Sequence, residues 1–202
     1  LLAVWHLDED RIVRLASDLA HDVSITEDGR YGIERDESPY GWGRMFGRPY
    51  RDVYRINAES GERNRVHERI RYSYVSTGGR YLLTFDGTDY WSLELASGER
   101  FNVTAGLGGT FANTGYDTPT DMLPPHGVSG WIEGDEAVLL NDEFDVWRVE
   151  LDGSGGKRLT RGAEDEIVHR RVNVGEDGDA IDPLRPVFLS LRGKWTKQEG
   201  YA

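Results

Sequence analysis

The hydrophobic and polar positions of this chain follow one pattern in three sixteen-residue segments, 52–67, 89–104 and 145–160. Each segment begins with Asp, after which hydrophobic and polar residues alternate, and this alternation places the hydrophobic side chains on one side of a β-strand. A glycine-containing turn and a second short strand follow, as in a β-hairpin. The hydrophobic positions correspond without a gap: Tyr54, Trp91 and Trp147; Ile56, Leu93 and Val149; Ala58, Leu95 and Leu151.

Two more strands are predicted before each hairpin. TEDGRYGI at 26–33 matches STGGRYLL at 76–83, and GWIEGDEAVLL at 130–140 is a looser copy. Each copy reads as a turn followed by a strand, and the strands before these turns are predicted at 22–25, 70–75 and 126–132. A repeat of four short antiparallel strands is typical of a β-propeller blade, which buries its two faces only against neighbouring blades.

The sequence therefore predicts an all-β fold of three full blades with a half-blade at each end. The full blades are predicted at 22–67, 70–104 and 126–160, the outer half-blade at 4–15 and the inner half-blade at 167–202. Half-blades have unpaired edges that a soluble protein must cover. They could complete each other within one chain, closing a four-bladed ring, or between two chains, closing an eight-bladed ring. We favour the homodimer formed by half-blade exchange, because four blades require strongly wedge-shaped packing.

Composition and charge narrow the class of partner. The net charge of −12 argues against a nucleic acid or an anionic membrane surface as the main partner. The chain has no cysteine, which excludes disulfides and thiolate metal sites. No apolar run reaches the roughly 20 residues that a membrane-spanning helix needs. We expect a soluble protein in the cytoplasm or the periplasm, and the absence of an initial Met leaves open a further part upstream.

The residues that could bind a metal are scattered or form turns. No two histidines have a zinc-like spacing. The acidic run 141–145 lacks the alternating order and the distal Glu of a calcium loop, and we interpret it as a turn before a strand. The segment 175–179 is interpreted as a Gly/Asp turn. No metal or cofactor is predicted. The histidines are His6, His21, His67, His126 and His169.

Two insertions interrupt the repeat, at 37–51 and 107–127. The first is rich in Arg, Gly and aromatic residues, a composition favoured at interfaces, and loops on a rigid scaffold often carry binding. We therefore expect a contact with a partner or substrate there, whereas the alternative is a loop that only packs over the blade edge. The second insertion is a weaker candidate of the same kind. The candidate contact residues are Tyr40, Trp42, Arg44, Phe46 and Arg48.

The blade pattern, the DGRY turn and the stretch 115–160 resemble the propeller domain of S9-type serine peptidases. This family includes prolyl oligopeptidases, dipeptidyl-peptidase IV-like enzymes and acylaminoacyl peptidases. Segment 180–201 is similar to a propeller segment of the same family. The resemblance covers nearly the whole chain and rests on a blade pattern that TolB-like and WD40-like propellers share. It implies a parent protein with an α/β-hydrolase domain, which would be a partner of this chain.

The catalytic part of such a peptidase is not found in this sequence. Its nucleophile lies in Gly-x-Ser-x-Gly between a strand and a helix. The nearest match is GVSGW at 127–131, where Trp131 replaces the last glycine and a strand follows in place of the helix. Ser129 and His126 are neighbours in one strand, where side chains point to opposite faces or sit too far apart to act as nucleophile and base. A channel enzyme would need an acid/base set that the sequence lacks. No catalytic residue is predicted for this chain.

The leading hypothesis is a non-catalytic propeller segment of an S9-like serine peptidase. In that family, the resemblance implies, the propeller restricts the access of large substrates to the catalytic domain, so a peptide substrate is expected. The alternative is a free-standing TolB-like scaffold that binds a protein partner.

Overall fold

The computed structural model describes residues 2–17, 22–174 and 180–202. Nearly all regular structure in these ranges is β, and most strands pair with the next strand of the chain in antiparallel hairpins. The first sheet is a hairpin of β1 (Ala3–His6) and β2 (Arg11–Arg14). Three larger sheets and one of three strands follow, so the predicted all-β architecture is confirmed.

Each of the three larger sheets contains four consecutive antiparallel strands and is called a blade here. Blade 1 comprises β3 (Asp22–Ile25), β4 (Tyr31–Asp36), β5 (Arg51–Asn57) and β6 (Arg63–Ile70). Blade 2 comprises β7 (Tyr72–Val75), β8 (Tyr81–Phe85), β9 (Tyr90–Glu94) and β10 (Arg100–Asn102). Blade 3 comprises β11 (Val128–Ile132), β12 (Ala137–Asn141), β13 (Val146–Glu150) and β14 (Gly156–Arg158).

The helices are single turns in the connections. Helix α1 (Gly41–Arg44) follows a 3₁₀ turn at Ser38–Tyr40, and α2 (Gly162–Asp165) follows blade 3. A second 3₁₀ turn spans Glu133–Asp135. No helix in the described part of the chain is long and apolar enough to span a membrane.

The repeated aromatic position has the same surroundings in blades 2 and 3. Trp91 Nε1 donates a 2.8 Å hydrogen bond to Asp86, and Trp147 Nε1 donates one of 2.7 Å to Asp142. Both carboxylates also accept backbone N–H groups of the following turn. The acidic segment 141–145 is therefore a turn before β13. The equivalent contacts confirm that the two segments are copies of one structural unit.

The hydrophobic core lies between sheets. Ile33 and Val53 of blade 1 pack with Leu82 and Leu93 of blade 2, and Val13 of the N-terminal hairpin packs with blade 1. The largest cluster joins blade 2 to blade 3 and includes residues of the second insertion. Burying a large aliphatic side chain contributes about 1.5–3 kcal/mol. Because each blade has two apolar faces, this contribution requires a neighbouring sheet on either side. The residues of the largest cluster include Tyr81, Phe85, Tyr90, Phe111, Trp131 and Trp147.

The C-terminal sheet has three strands, where the sequence pattern indicated two. Its order is β15 (Ile167–Arg171), β17 (Leu189–Gly193) and β18 (Glu199–Tyr201). The intervening β16 (Ala180–Ile181) pairs in parallel with β11 of blade 3. This pairing buries Ile181 beside Ile132. The turn predicted at 175–179 lies outside the described residues.

The third strand of the C-terminal sheet, β18, occupies the edge that the predicted half-blade exchange requires. In that scheme the N-terminal hairpin would continue the C-terminal sheet by pairing with its second strand, β17. In the structure β17 already pairs with β15 on one side and with β18 on the other, where Leu191 lies opposite Gly200. An exchange in the predicted strand order would have to displace β18, and this edge of the molecule gives the predicted homodimer no support.

The strand directions decide which connections lie together. In a blade of four antiparallel strands, the connection between the second and third strands and the link to the next blade lie at the same end of the strands. Both insertions are connections of this kind: 37–51 joins β4 to β5, and 107–127 lies between β10 and β11. We call this side of the molecule the insertion face. The turns after the first and third strands lie at the opposite end of the strands.

Candidate functional site

The first insertion leaves blade 1 at β4 and forms a compact segment before β5. Pro39 lies in the first turn, where its missing N–H costs nothing, and α1 continues the chain for one more turn. Trp42 and Phe46 point into solvent, with 83% and 75% of their surface exposed. Tyr40 is half-buried and lies inward. The predicted contact residues therefore divide into an inner and an outer set.

Tyr40 fastens the insertion to the blade through Asp52. The aspartate that begins each repeat bonds a threonine fifteen positions later in the other blades: Asp89 with Thr104 at 2.9 Å, and Asp145 with Thr160 at 2.6 Å. In blade 1 this later position is His67. Asp52 instead accepts the Tyr40 hydroxyl at 2.7 Å. Blade 1 therefore holds its insertion with the carboxylate that the other blades use for their own closure.

The electrostatics of this bond fix the protonation states. Burial raises the pKa of Tyr40 to about 12, and the bond to the Asp52 carboxylate adds to the rise. Burial acts to raise the pKa of Asp52 as well, but hydrogen bonds from Tyr40, the Arg69 backbone N–H and Arg65 outweigh it and lower that pKa below 3.8. At neutral pH Tyr40 is therefore the donor and Asp52 the charged acceptor.

The inner side of the insertion borders a cavity of about 410 Å³, called the insertion cavity here. Tyr40, Pro49 and Tyr50 form its apolar wall. The Tyr40 and Tyr50 rings lie 6.1 Å apart at an angle of 60°, so the two side chains support each other. The remaining lining residues are Asp22, Arg35, Glu37, Ser38, Gly41 and Arg44.

Arg35 is the most buried cation of this lining, with 12% of its side chain exposed. Its neighbours within hydrogen-bond distance are the hydroxyls of Ser73 at 3.2 Å and Ser24 at 3.4 Å. The Asp22 carboxylate lies 3.7 Å away. Burial lowers the pKa of Arg35 from its usual value, Asp22 acts to raise it, and Arg51 lowers it further. The guanidinium remains charged at neutral pH, because an arginine pKa starts above 12.

Arg51 lies beside the cavity and pairs with both acidic lining residues. Its guanidinium is 3.5 Å from Glu37 and 3.8 Å from Asp22. Glu37 also pairs with Arg44 at 3.0 Å. The Arg51 Nε atom is buried and has no hydrogen-bond partner among the described residues. The two carboxylates are thus engaged by Arg51 and Arg44, which leaves Arg35 with the weakest charge pairing of the group.

The second insertion meets the first on the other side of Tyr50. Asp121 lies 3.8 Å from Arg48, 3.8 Å from Arg69 and 3.7 Å from Arg71. Arg69 stacks over the Tyr50 ring at 4.5 Å. Arg48 therefore joins the two insertions, and the structure brings together the two segments that the sequence marked as separate candidates.

The outer side of the first insertion carries an exposed apolar group. Met45 is 78% exposed and lies between Trp42 and Phe46 in the chain. We call Trp42, Met45 and Phe46 the apolar tip. Sequence reasoning singled out the two aromatic residues and missed Met45. It also missed Asp22, Arg35, Tyr50 and Arg51, whose only signal was a charged or aromatic residue at or next to the ends of β3, β4 and β5.

Other sequence candidates have structural contacts. Ser129 Oγ donates to Asn141 at 2.8 Å, and the His126 backbone N–H donates to Phe111. Burial lowers the pKa of His126, and the charge of Arg170 lowers it further. No group of three His, Asp or Glu residues within 2–17, 22–174 and 180–202 is arranged to hold a metal ion. His21 lies outside the described residues.

Comparison with known proteins rests on structure. We found no protein-family model and no curated protein that matches the chain. The β-propeller domain of the Trilobed protease from Pyrococcus furiosus matches 95% of the chain with a TM-score of 0.50 and 13% sequence identity. In fold, the chain is a β-propeller. The resemblance to peptidase propellers inferred from the sequence is thereby confirmed for the fold.

The propeller covers 55% of the length of the Pyrococcus domain. It also matches a TolB-like protein from Agrobacterium tumefaciens, at 17% identity and a TM-score of 0.45, over 95% of this chain and 69% of that protein. Dipeptidyl peptidase 4 from Porphyromonas gingivalis matches at 9% identity and a TM-score of 0.45, over 93% of this chain and 33% of that enzyme. Identities this low concern the fold and carry no site residue across.

Proposed function

We propose that this propeller is a non-catalytic segment of an S9-like serine peptidase and that its insertion face binds the polypeptides that approach the catalytic domain. The apolar tip is the observation that carries the proposal. Three large apolar side chains in solvent are costly for a surface loop unless a partner covers them. The tip belongs to a segment that Tyr40 and Arg48 hold to blade 1 and to the second insertion. It therefore offers a preformed contact.

The alternative is a free-standing TolB-like scaffold that uses the same face for a protein partner. Both functions require binding at the insertion face, and they differ in what adjoins the propeller. The gene decides between them: a downstream Gly-x-Ser-x-Gly followed by Asp and His supports the peptidase, whereas a stop codon supports the scaffold.

We expect the purified chain to hydrolyse neither p-nitrophenyl acetate nor a chromogenic peptide above the buffer rate. The physical reason is that Ser129, the nearest match to a nucleophile, lies in a strand and donates its hydroxyl to the amide oxygen of Asn141, which is not a general base. The measurement is the release of p-nitrophenol by the wild type and by Ser129→Ala. Turnover that disappears in the variant would place a nucleophile at Ser129, and turnover that persists would reveal another site.

We expect peptides selected on the wild-type propeller from a displayed random library to bind the double variant Trp42→Ser/Phe46→Ser at least tenfold more weakly. Removing two exposed aromatic side chains at an interface costs on the order of 2 kcal/mol or more of binding free energy. The measurement is the dissociation constant of each selected peptide by fluorescence anisotropy.

The matched control is Trp5→Ser/Leu7→Ser, which removes two exposed apolar residues from the N-terminal hairpin. Binding should be unchanged in this control. Equal losses in both double variants, or none in either, would contradict a role for the apolar tip.

A further inference from the structure

We propose that the insertion cavity binds a carboxylate attached to an apolar side chain, as at the C-terminus of a peptide that ends in a hydrophobic residue. The inference rests on the proposed function, because it names the ligand class of the insertion face. It comes from three features of the cavity: a poorly paired buried cation, a surplus of one positive charge and a preformed apolar wall.

The poorly paired cation is Arg35. A buried guanidinium is normally bonded to a carboxylate at about 2.7–2.9 Å, often through two parallel hydrogen bonds. Arg35 instead has two serine hydroxyls at 3.2 and 3.4 Å and a carboxylate at 3.7 Å. A cation buried this deeply with pairing this loose is unfavourable unless an anion completes its hydrogen bonds. A ligand carboxylate would supply the missing charge-assisted bonds.

The charge balance around the cavity favours one added negative charge. Three arginines (Arg35, Arg44 and Arg51) face two carboxylates (Asp22 and Glu37). Their sum is +1 in a chain whose total is −12. A monoanion therefore neutralises the group, whereas a phosphate dianion would leave it negative beside two acidic side chains.

The apolar wall selects what the carboxylate is attached to. Tyr50 is 6% exposed and its ring stacks with the Arg69 guanidinium, so the ring is already ordered before a ligand binds. A volume of about 410 Å³ accommodates one large side chain and the adjoining backbone. A C-terminal hydrophobic residue presents both groups at once, with the carboxylate toward Arg35 and the side chain toward Tyr40, Pro49 and Tyr50.

The test compares four ligands by calorimetric titration of the intact chain and adds inorganic phosphate as a competitor. We expect acetyl-Ala-Ala-Phe with a free carboxylate to bind at least tenfold more tightly than its C-terminal amide, and acetyl-Ala-Ala-Gly to bind as weakly as the amide. N-acetyl-phenylalanine tests whether the ligand is a peptide. If it binds as tightly as the tripeptide, the peptide assignment is wrong and the ligand is a small carboxylate. Inorganic phosphate should not compete, and competition by it at equal concentration would overturn the inference.

The decisive variant is Arg35→Met, which should lower the affinity for the acid to that for the amide and leave the amide's affinity unchanged. Arg30→Met is the matched control, because Arg30 is 74% exposed and lies in the β3–β4 turn at the opposite edge of the blade. If Arg35→Met does not fold, Arg35→Lys should keep a preference for the acid over the amide. Equal affinities for acid and amide in the wild type would overturn the inference.

The outcome is separable from that of the proposed function. Displayed peptides that bind through Trp42 and Phe46 while acid and amide bind equally would sustain the proposed function and refute the carboxylate site. If the acid binds through Arg35 while Trp42→Ser/Phe46→Ser leaves the binding of displayed peptides unchanged, the carboxylate site is sustained and the proposed role of the apolar tip is refuted.

Discussion

Replacement of Gly79 by alanine should lower the free energy of unfolding by about 2–4 kcal/mol. Gly79 has a φ of +78°, where any other residue is strained by roughly 1 kcal/mol. An added Cβ would lie 2.6 Å from Thr26 Cβ of blade 1, which is closer than two non-bonded carbon atoms can approach. Relieving this overlap adds about 1–3 kcal/mol, as for other overpacked sites.

The turn cannot move away from Thr26, because blade 3 holds its other side. Asp135, which is buried, accepts hydrogen bonds from the backbone N–H groups of Gly78 and Arg80, both at 2.9 Å, and from the Ser76 hydroxyl at 2.5 Å. The β7–β8 turn is thus fixed between two neighbouring blades. The measurement is urea-induced unfolding followed by tryptophan fluorescence.

Gly29→Ala is the matched control. Gly29 occupies the same place in the β3–β4 turn, has a φ of +71° and has no atom within 4 Å of an added Cβ. This variant should lose only the cost of the backbone conformation, about 1 kcal/mol. A loss at Gly79 no greater than that at Gly29 would show that the turns do not pack between blades as the structure has them.

Replacement of Asp145 by asparagine should cost about 2–4 kcal/mol of stability. Asp145 is fully buried and accepts hydrogen bonds from Thr160 Oγ1 at 2.6 Å, from the Gly162 N–H at 2.5 Å and from the Ala163 N–H at 3.3 Å. An amide presents its NH₂ group to one side of this set of donors, and a buried donor without an acceptor costs roughly 1–3 kcal/mol. The loss of charge removes the attraction to Arg158 as well.

Asp89→Asn is the matched control in blade 2. Asp89 is only half-buried and bonds two side chains, Thr104 at 2.9 Å and Asn102 at 3.2 Å, with no backbone donor in the link to the next blade. Water can replace these bonds, so the loss should be about 1 kcal/mol. Thermal unfolding of both variants gives the comparison, and equal shifts would contradict the special role of the blade 3 aspartate in fixing α2.

The predictability of the site differs from residue to residue. The composition and place of the first insertion marked Tyr40, Trp42, Arg44, Phe46 and Arg48, and the structure places all five in one segment beside a cavity. Their division into inner and outer sets was not predictable. It depends on Asp52, whose threonine partner is replaced by His67, so that its carboxylate is free to accept the Tyr40 hydroxyl.

Alternation of apolar and polar residues, repeated three times, determined by itself that the chain forms four-stranded antiparallel blades, because period-2 patterning admits only strands and each blade has two apolar faces to bury. Only the tertiary structure decided which distant groups meet. The parallel pairing of β16 with β11, the ion pair of Arg51 with Asp22 and the hydrogen bond of Arg35 to Ser73 of blade 2 all join elements that are not neighbours along the chain. Such contacts leave no local periodicity, since the free energy that selects them comes from burial and charge pairing between elements.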